Sequence, residues 1–156
     1  MTEYISDRPE LEKTPKPVAL FDVDNTLIRG FTVYEFSKYL ISQDLFDPHF
    51  LKLMEKDRVN REGLGYQQFA KDVVYHYGQG LKGIKQSAIE EAGLAFLSRY
   101  ESPDMLLPFS RKLVELMNEN IGNTIAISGA PAEAFLPLAR RLGINDSNLL
   151  EMETSS

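Results

Sequence analysis

The sequence feature that most constrains the fold is a short apolar run that ends in acidic residues. Val18-Ala19-Leu20-Phe21 is followed directly by Asp22-Val23-Asp24-Asn25-Thr26. Four consecutive apolar residues are typical of a central parallel strand that is buried on both faces. Such strands end at the edge of an open α/β sheet where ligands bind. We therefore predict a buried strand that delivers two carboxylates to a ligand-binding edge.

The two carboxylates, Asp22 and Asp24, lie on the same side of an extended chain because strand side chains alternate. Like charges in a desolvated setting disfavour each other, and a bound divalent cation would relieve that repulsion. Mg²⁺ prefers oxygen ligands, whereas zinc and copper recruit His or Cys, and the chain has two histidines and no cysteine. One carboxylate could attack phosphorus while the other moves the proton. The alternative is an ordinary turn capped by Asp24 or Asn25.

The rest of the chain divides into a helical block and a returning α/β pattern. Apolar spacing predicts four helices without an intervening strand, at 32–43, 48–60, 66–77 and 84–100, with a Gly78-Gln79-Gly80 turn ending the third. A helix at 108–118, a strand at 124–128, a helix at 131–142 and a third strand beginning at Leu149 follow. A helical block placed after strand-end acids predicts a cap over a catalytic edge. The alternative is one mixed α/β domain with its helices packed on the sheet.

Composition narrows the classes of partner. The formal net charge of −6 and the pI near 5.0 argue against a nucleic-acid partner, which requires a basic face. No run approaches 18 apolar residues, and residues 1–17 lack the apolar run of a signal peptide, so we predict no membrane partner and a cytoplasmic location. The polar residues 1–16 are predicted to form a flexible tail.

Two motifs resemble those of the haloacid dehalogenase (HAD) superfamily, in its subgroup similar to phosphoserine phosphatases. Residues 21–28, Phe-Asp-Val-Asp-Asn-Thr-Leu-Ile, resemble its first motif, Asp-x-Asp-x-Thr after an apolar strand. Residues 125–130, Ile-Ala-Ile-Ser-Gly-Ala, resemble its second, a strand that ends in Ser or Thr. The resemblance implies a Rossmann-like parallel sheet core at 17–31 and 103–156, with an inserted α-helical cap at 32–102.

The resemblance also implies roles for individual residues. Asp22 would be the nucleophile and a Mg²⁺ ligand, and Asp24 would be the general acid/base and would lend its backbone carbonyl to the metal. Thr26 would hold the motif loop in shape. Ser128 and the backbone N–H of Gly129 would bind the phosphoryl group, as a hydroxyl and an N–H at a strand-to-helix turn can. The implied activity is Mg²⁺-dependent phosphoryl transfer from a small phosphomonoester through an aspartyl-phosphate at Asp22.

The sequence departs from the family pattern in two places. The family's substrate-binding acid corresponds to Phe31, which speaks against phosphoserine as the substrate, and Arg29 and Glu35 lie nearby. The family's supporting Lys and its metal-completing Gly-Asp-x₃-Asp pattern are not found, and neither Lys82 nor Lys85 is assigned to that role. A narrow sheet then exposes an edge that a homodimer would cover.

Other functions remain open at this stage. A catalytically incomplete module that binds phosphate or a protein partner is the main alternative to the phosphatase, with a partner surface on the helical block. A receiver domain also uses a strand-end Asp, but the long helical block after the acidic strand argues against it. No Gly-x-Gly-x-x-Gly follows the first strand, which argues against a dinucleotide-binding role.

Overall fold

A three-stranded parallel sheet forms the centre of the computed structural model, which describes residues 17–102, 104–144 and 149–151. The strand order is β1-β2-β3, and both neighbouring pairs are parallel. This is the Rossmann-like α/β class that the sequence predicts. The predicted tail at 1–16 lies outside the described residues. The described elements are β1 (Ala19–Asp22), α1 (Thr32–Ser42), α2 (Pro48–Leu64), α3 (Tyr66–Gly80), α4 (Gln86–Tyr100), α5 (Ser110–Asn120), β2 (Thr124–Ser128), α6 (Ala132–Leu142) and β3 (Leu149–Glu151).

The register of β1 and β2 places the two motifs side by side. Ala19 pairs with Thr124, and Asp22 pairs with Ile127. Because parallel strands end at the same edge of a sheet, Asp22 and Ser128 both leave the sheet at its carboxyl edge. The helices α1 to α4, which we call the helical insertion, lie in the connection between these two neighbouring strands.

The two faces of the sheet differ in burial. Phe21 and Ala126 are paired in register and buried in the core. On the opposite face, Leu20 is 63% exposed, and Val18 and Ile127 are each 42% exposed. The prediction that the first strand is buried on both faces is therefore wrong, because only one face is covered by the described residues. We call Val18, Leu20, Ile125 and Ile127 the open face.

The helical insertion has its own aromatic core. Phe36 on α1 and Phe96 on α4 are fully buried, with ring centroids 5.2 Å apart. Helix α3 continues through Gly80, so the predicted break at Gly78-Gln79-Gly80 is wrong. A Cβ on Gly80 would lie 2.2 Å from Cζ of Phe46, and the buried Phe46 ring therefore packs where only glycine leaves room. This packing overrides the poor helix propensity of the two glycines.

Helices α4 and α6 fix the insertion against the α/β part. They meet at Gly93, where a Cβ would lie 2.0 Å from the carbonyl oxygen of Glu133. Helix α6 follows Pro131 and ends at Gly143, whose φ of 87° is the left-handed conformation expected after a helix. The closeness of this crossing depends on the missing side chain at position 93.

The chain segments that enter and leave the helical insertion run beside each other. The Arg29 N–H donates to the Met105 carbonyl at 2.7 Å, and the Leu107 N–H donates to the Leu27 carbonyl at 3.1 Å. Ile28 and Leu106 form an antiparallel bridge between these contacts. Both ends of the insertion therefore lie next to the acidic loop. Among the described residues, no helix is long and apolar enough to cross a membrane.

Candidate active site at the carboxyl edge of the sheet

The loop after β1 is wound tightly around one carbonyl group. The Val23 carbonyl accepts the N–H groups of Thr26, Leu27 and Ile28 at 3.1, 2.9 and 3.2 Å. Asn25 takes a left-handed φ of 61°, which Asn tolerates better than most residues, and its Oδ1 accepts the Gly30 N–H at 3.0 Å. The loop thus turns back on itself and holds Asp22, Asp24 and Thr26 at the strand end.

Asp22 combines exposure with a fixed orientation. It is the last residue of β1, and its side chain faces solvent. The Thr26 hydroxyl donates to Oδ2 at 2.9 Å. No described residue donates to Oδ1, so one carboxylate oxygen is held while the other is free to react. Thr26 therefore contacts the Asp22 carboxylate from within the same loop.

Asp24 lies deeper, against the first turn of the helical insertion. Its Oδ1 accepts the backbone N–H of Thr32 at 3.0 Å and the Thr32 hydroxyl at 2.5 Å. Burial raises the pKa of Asp24 above its usual range, and the charge of Asp22 adds to that rise, while the two Thr32 hydrogen bonds oppose it. Asp24 therefore keeps its proton to higher pH than an exposed aspartate, as a general acid must.

Ser128 and Gly129 mark the end of β2 at the same edge. Ser128 is buried, and its Oγ accepts the Ala130 N–H at 3.1 Å. Because a hydroxyl both donates and accepts, its proton remains available to an incoming oxygen atom. Gly129 is exposed and precedes helix α6. A hydroxyl and a backbone N–H before a helix are suited to an anion.

The donor set at this edge fits Mg²⁺ better than a metal that is held wholly by protein. Within the described residues, no group of three or more His, Cys, Asp or Glu side chains could hold a metal ion. The same part of the chain places no Lys or Arg in an ion pair with Asp22 or Asp24. One or two carboxylates together with water and a phosphate oxygen are a usual Mg²⁺ environment. Asp22 and Asp24 are the described residues that would hold this metal, and they would leave most of its coordination to water and phosphate oxygen.

The remaining residues that the sequence singled out take structural positions. Phe31 packs edge-on against Tyr34, with ring centroids 6.3 Å apart. Arg29 is exposed, and Glu35 pairs with Lys38 at 2.9 Å on the surface of α1. Lys82 and Lys85 are exposed between α3 and α4.

Thr32 is the site residue that sequence reasoning missed. It is fully buried and makes two of the contacts that orient Asp24. The Asp-x-Asp-x-Thr spacing ends at Thr26, and Thr32 lies six residues beyond it. The available signal was a small hydroxyl residue at the start of a predicted helix, a position where such side chains often bond to nearby backbone or carboxylate groups.

Comparisons with known proteins support the fold. Neither a protein-family model nor a curated protein sequence matches the chain. A phosphoserine phosphohydrolase-like protein from Francisella tularensis subsp. tularensis SCHU S4 is similar in structure, with a TM-score of 0.59 and 22% sequence identity. The match covers 90% of this chain and 60% of that chain. DsGPDH of Dunaliella salina matches with a TM-score of 0.56 and 20% identity over 90% of this chain and 21% of its own.

These likenesses show that the chain shares an α/β fold with both solved structures. At 22% and 20% identity they concern the fold alone. The chain spans about three fifths of the length of the Francisella protein. The roles of Asp22, Asp24, Thr26, Ser128 and Gly129, and the boundaries between core and cap, stay predictions.

Proposed function

We propose that the protein is a Mg²⁺-dependent phosphatase or phosphotransferase of HAD type that acts on a small phosphomonoester. The observation that carries the proposal is the division of labour between two neighbouring carboxylates. Asp22 is exposed, with one oxygen free, and Asp24 is half-buried, with a raised pKa. An exposed carboxylate beside a buried one that retains its proton suits a nucleophile and a general acid.

The chain's own residues account for the steps of phosphoryl transfer. Asp22 Oδ1 attacks phosphorus, the bond to the leaving oxygen breaks, and Asp24 gives that oxygen its proton. A water molecule then attacks the phosphorus of the aspartyl-phosphate, Asp24 takes the proton of that water, and Asp22 is released with inorganic phosphate. Ser128 and the Gly129 N–H would hold the non-bridging oxygens throughout.

Mg²⁺ would be held by the Asp22 carboxylate and the backbone carbonyl of Asp24. When bound, it would supply positive charge that offsets the charge on the transferring phosphoryl group. This charge matters because no described Lys or Arg pairs with either aspartate.

The test is release of inorganic phosphate from a chromogenic aryl phosphate, with and without Mg²⁺. Asp22→Asn is expected to lower kcat by about 10³-fold or more, since losing a single stabilising donor already costs about 10²–10³ in rate. Asp44→Asn is the matched control, because Asp44 is exposed beyond the end of α1 and its left-handed φ of 58° suits Asn equally. Metal-dependent turnover that survives Asp44→Asn and disappears in Asp22→Asn supports the proposal.

A catalytically incomplete phosphate-binding or interaction module is the second candidate. It is favoured by the lack of a basic partner for Asp22 and Asp24 among the described residues, and by the lack there of a third metal-ligating side chain. On this proposal, turnover by the wild-type chain does not exceed that of Asp22→Asn. Weak binding of inorganic phosphate in the presence of Mg²⁺ would then identify a binding site without chemistry.

A further inference from the structure

Two tyrosine hydroxyls in the helical insertion are buried without a hydrogen bond to any described residue. They belong to Tyr77 on α3 and Tyr100, the last residue of α4. Tyr100 has no exposed surface, and its ring packs edge-on against Phe96 with centroids 5.0 Å apart. A buried hydroxyl without a partner is costly, so each of these two groups calls for an explanation.

The position of Tyr100 brings its hydroxyl close to Thr32. Thr32 begins α1 and Tyr100 ends α4, and the paired segments around Ile28 and Leu106 bring these two ends of the insertion together. Burial raises the pKa of Tyr100, the nearby Thr32 hydroxyl opposes part of that rise, and the charge of Asp24 adds to it. Thr32 and Asp24 therefore both act on the phenol group, whose oxygen makes no hydrogen bond to a described residue.

Thr32 has the capacity to accept one more hydrogen bond. Its hydroxyl proton is used on Asp24 Oδ1. A hydroxyl oxygen carries two lone pairs, so Thr32 Oγ1 can accept a proton while it donates its own. A small shift of the Tyr100 ring toward Thr32 would let the phenol donate to this oxygen, and the contact between Thr32 and Asp24 would remain.

We propose that Tyr100 is a positioning residue for Asp24 that acts through Thr32, by donating a hydrogen bond to Thr32 Oγ1. The chain of contacts from Tyr100 to Thr32 to Asp24 then ties the carboxyl group to both ends of the helical insertion. It leaves Asp24 Oδ2 as the oxygen that carries the proton. The inference rests on the proposed function, because it assumes that Asp24 is the general acid/base.

Tyr77 offers a matched control and a competing partner. Burial raises the pKa of Tyr77, and the Glu133 carboxylate and Tyr100 add to the rise, so its hydroxyl lies near both. Its ring packs against Phe46, with centroids 5.7 Å apart. Tyr77→Phe removes the same buried group from the same insertion as Tyr100→Phe, but on the side of Glu133 rather than Thr32.

The decisive experiment is a double-mutant cycle on the unfolding equilibrium, which needs no catalytic activity. Tyr100→Phe is expected to lower the folding equilibrium constant by about 2–10-fold, the net value of a typical hydrogen bond. In the Thr32→Val background the same change is expected to have no effect or to stabilise the fold. Tyr77→Phe is expected to change the folding equilibrium constant by the same factor in the wild-type and Thr32→Val backgrounds. A Tyr100→Phe effect that is equal in both backgrounds, or that couples to Tyr77→Phe instead, overturns the inference.

A measurement of aryl phosphate turnover then distinguishes failure of this inference from failure of the proposed phosphatase function. With an active wild-type chain, Tyr100→Phe is expected to lower kcat several-fold with KM unchanged, and Tyr77→Phe to leave both constants as they are. Full kcat in Tyr100→Phe would overturn the positioning role alone. An inactive wild-type chain would overturn the proposed phosphatase and any catalytic role of Tyr100, while the cycle would still decide the contact with Thr32.

Discussion

Thr32 sets the asymmetry of the Asp24 carboxyl group. Its N–H and hydroxyl both donate to Oδ1, and no described residue donates to Oδ2. Hydrogen bonds to a carboxylate oxygen favour the charged form, yet burial outweighs them and the pKa of Asp24 is raised. The proton of Asp24 is therefore carried on the oxygen that is directed away from Thr32.

The raised pKa of Asp24 predicts a pH-dependent change in stability. In metal-free protein, Asp24 binds its proton more tightly in the folded state, so its contribution to stability falls as pH rises from the ordinary 3.8 through the raised value. Asp24→Asn is therefore expected to increase the free energy of unfolding at neutral pH. The gain should disappear in acid, where Asp24 is protonated in both states.

Urea titrations in EDTA over a series of pH values would measure this effect. Asp44→Asn serves as the control, because Asp44 is exposed and the substitution also removes one negative charge. A stability gain in Asp24→Asn that stays constant across the pH series would contradict the assignment of a raised pKa.

One of the two aspartate contacts can be understood from the local sequence, and the other cannot. The contact between Thr26 and Asp22 follows from a spacing of four residues across a tight turn, which the local pattern contains. The contact between Asp24 and Thr32 depends on how the chain leaves the loop through Gly30, whose φ is 80°. That direction is set by the pairing with residues 105–107, which no local pattern reports.

At the scale of elements, the crossing of α4 and α6 holds the helical insertion in place. Their backbones meet at Gly93 and Glu133, which is closer than side chains of ordinary size would allow. Helices α4 and α6 cannot slide along each other easily, because any shift would bring side chains next to Gly93 into collision with the Glu133 backbone. The insertion is therefore anchored at this crossing as well as at the paired segments beside the acidic loop.

Glycine-to-alanine changes in two helices should act in opposite directions. Gly93→Ala places a Cβ against the Glu133 backbone and is expected to cost about 1–3 kcal/mol, as overpacking does. Gly78→Ala on α3 meets no atom within 4 Å and is expected to gain about 0.5–1 kcal/mol from helix propensity. Chemical denaturation of both variants would measure these changes, and a neutral Gly93→Ala would disprove the close crossing.

Element types were predictable from the sequence, and their ends and burial less so. Strand β2 has the predicted bounds, because Thr124 to Ser128 is a β-branched apolar run with turn residues on both sides. The end of α3 was predicted too early, because the packing of Phe46 against Gly80 keeps that residue in the helix. The open face was missed because four apolar residues fit a strand with one covered face as well as a strand with two.

At the scale of the whole molecule, two features of β1 favour association with a partner: the open face, and an edge that pairs with no other described strand. Exposed apolar surface beside the outer edge of a sheet is a common site of association. We propose a homodimer that buries Val18, Leu20, Ile125 and Ile127. Leu20 is 63% exposed, which is more than either Val18 or Ile127.

Leu20→Gln is expected to weaken self-association by about tenfold or more, since it places a polar group in the buried patch. Leu94→Gln is the matched control, because Leu94 is 62% exposed on α4, away from the sheet. Light scattering over a concentration series would measure both. A wild-type chain that remains monomeric at every concentration would remove the homodimer.

The pairing of β1 with β2 also bears on the order in which the chain folds. Asp22 and Ser128 become neighbours only when strands on either side of four helices meet. Closing so long a loop is slow unless its interior is already compact. Helices α2 and α3 are neighbours in sequence and pack on each other, so this pair can form before the strands meet. During synthesis, the site would therefore remain incomplete after the acidic loop is made, until Ser128 emerges from the ribosome and β2 pairs with β1.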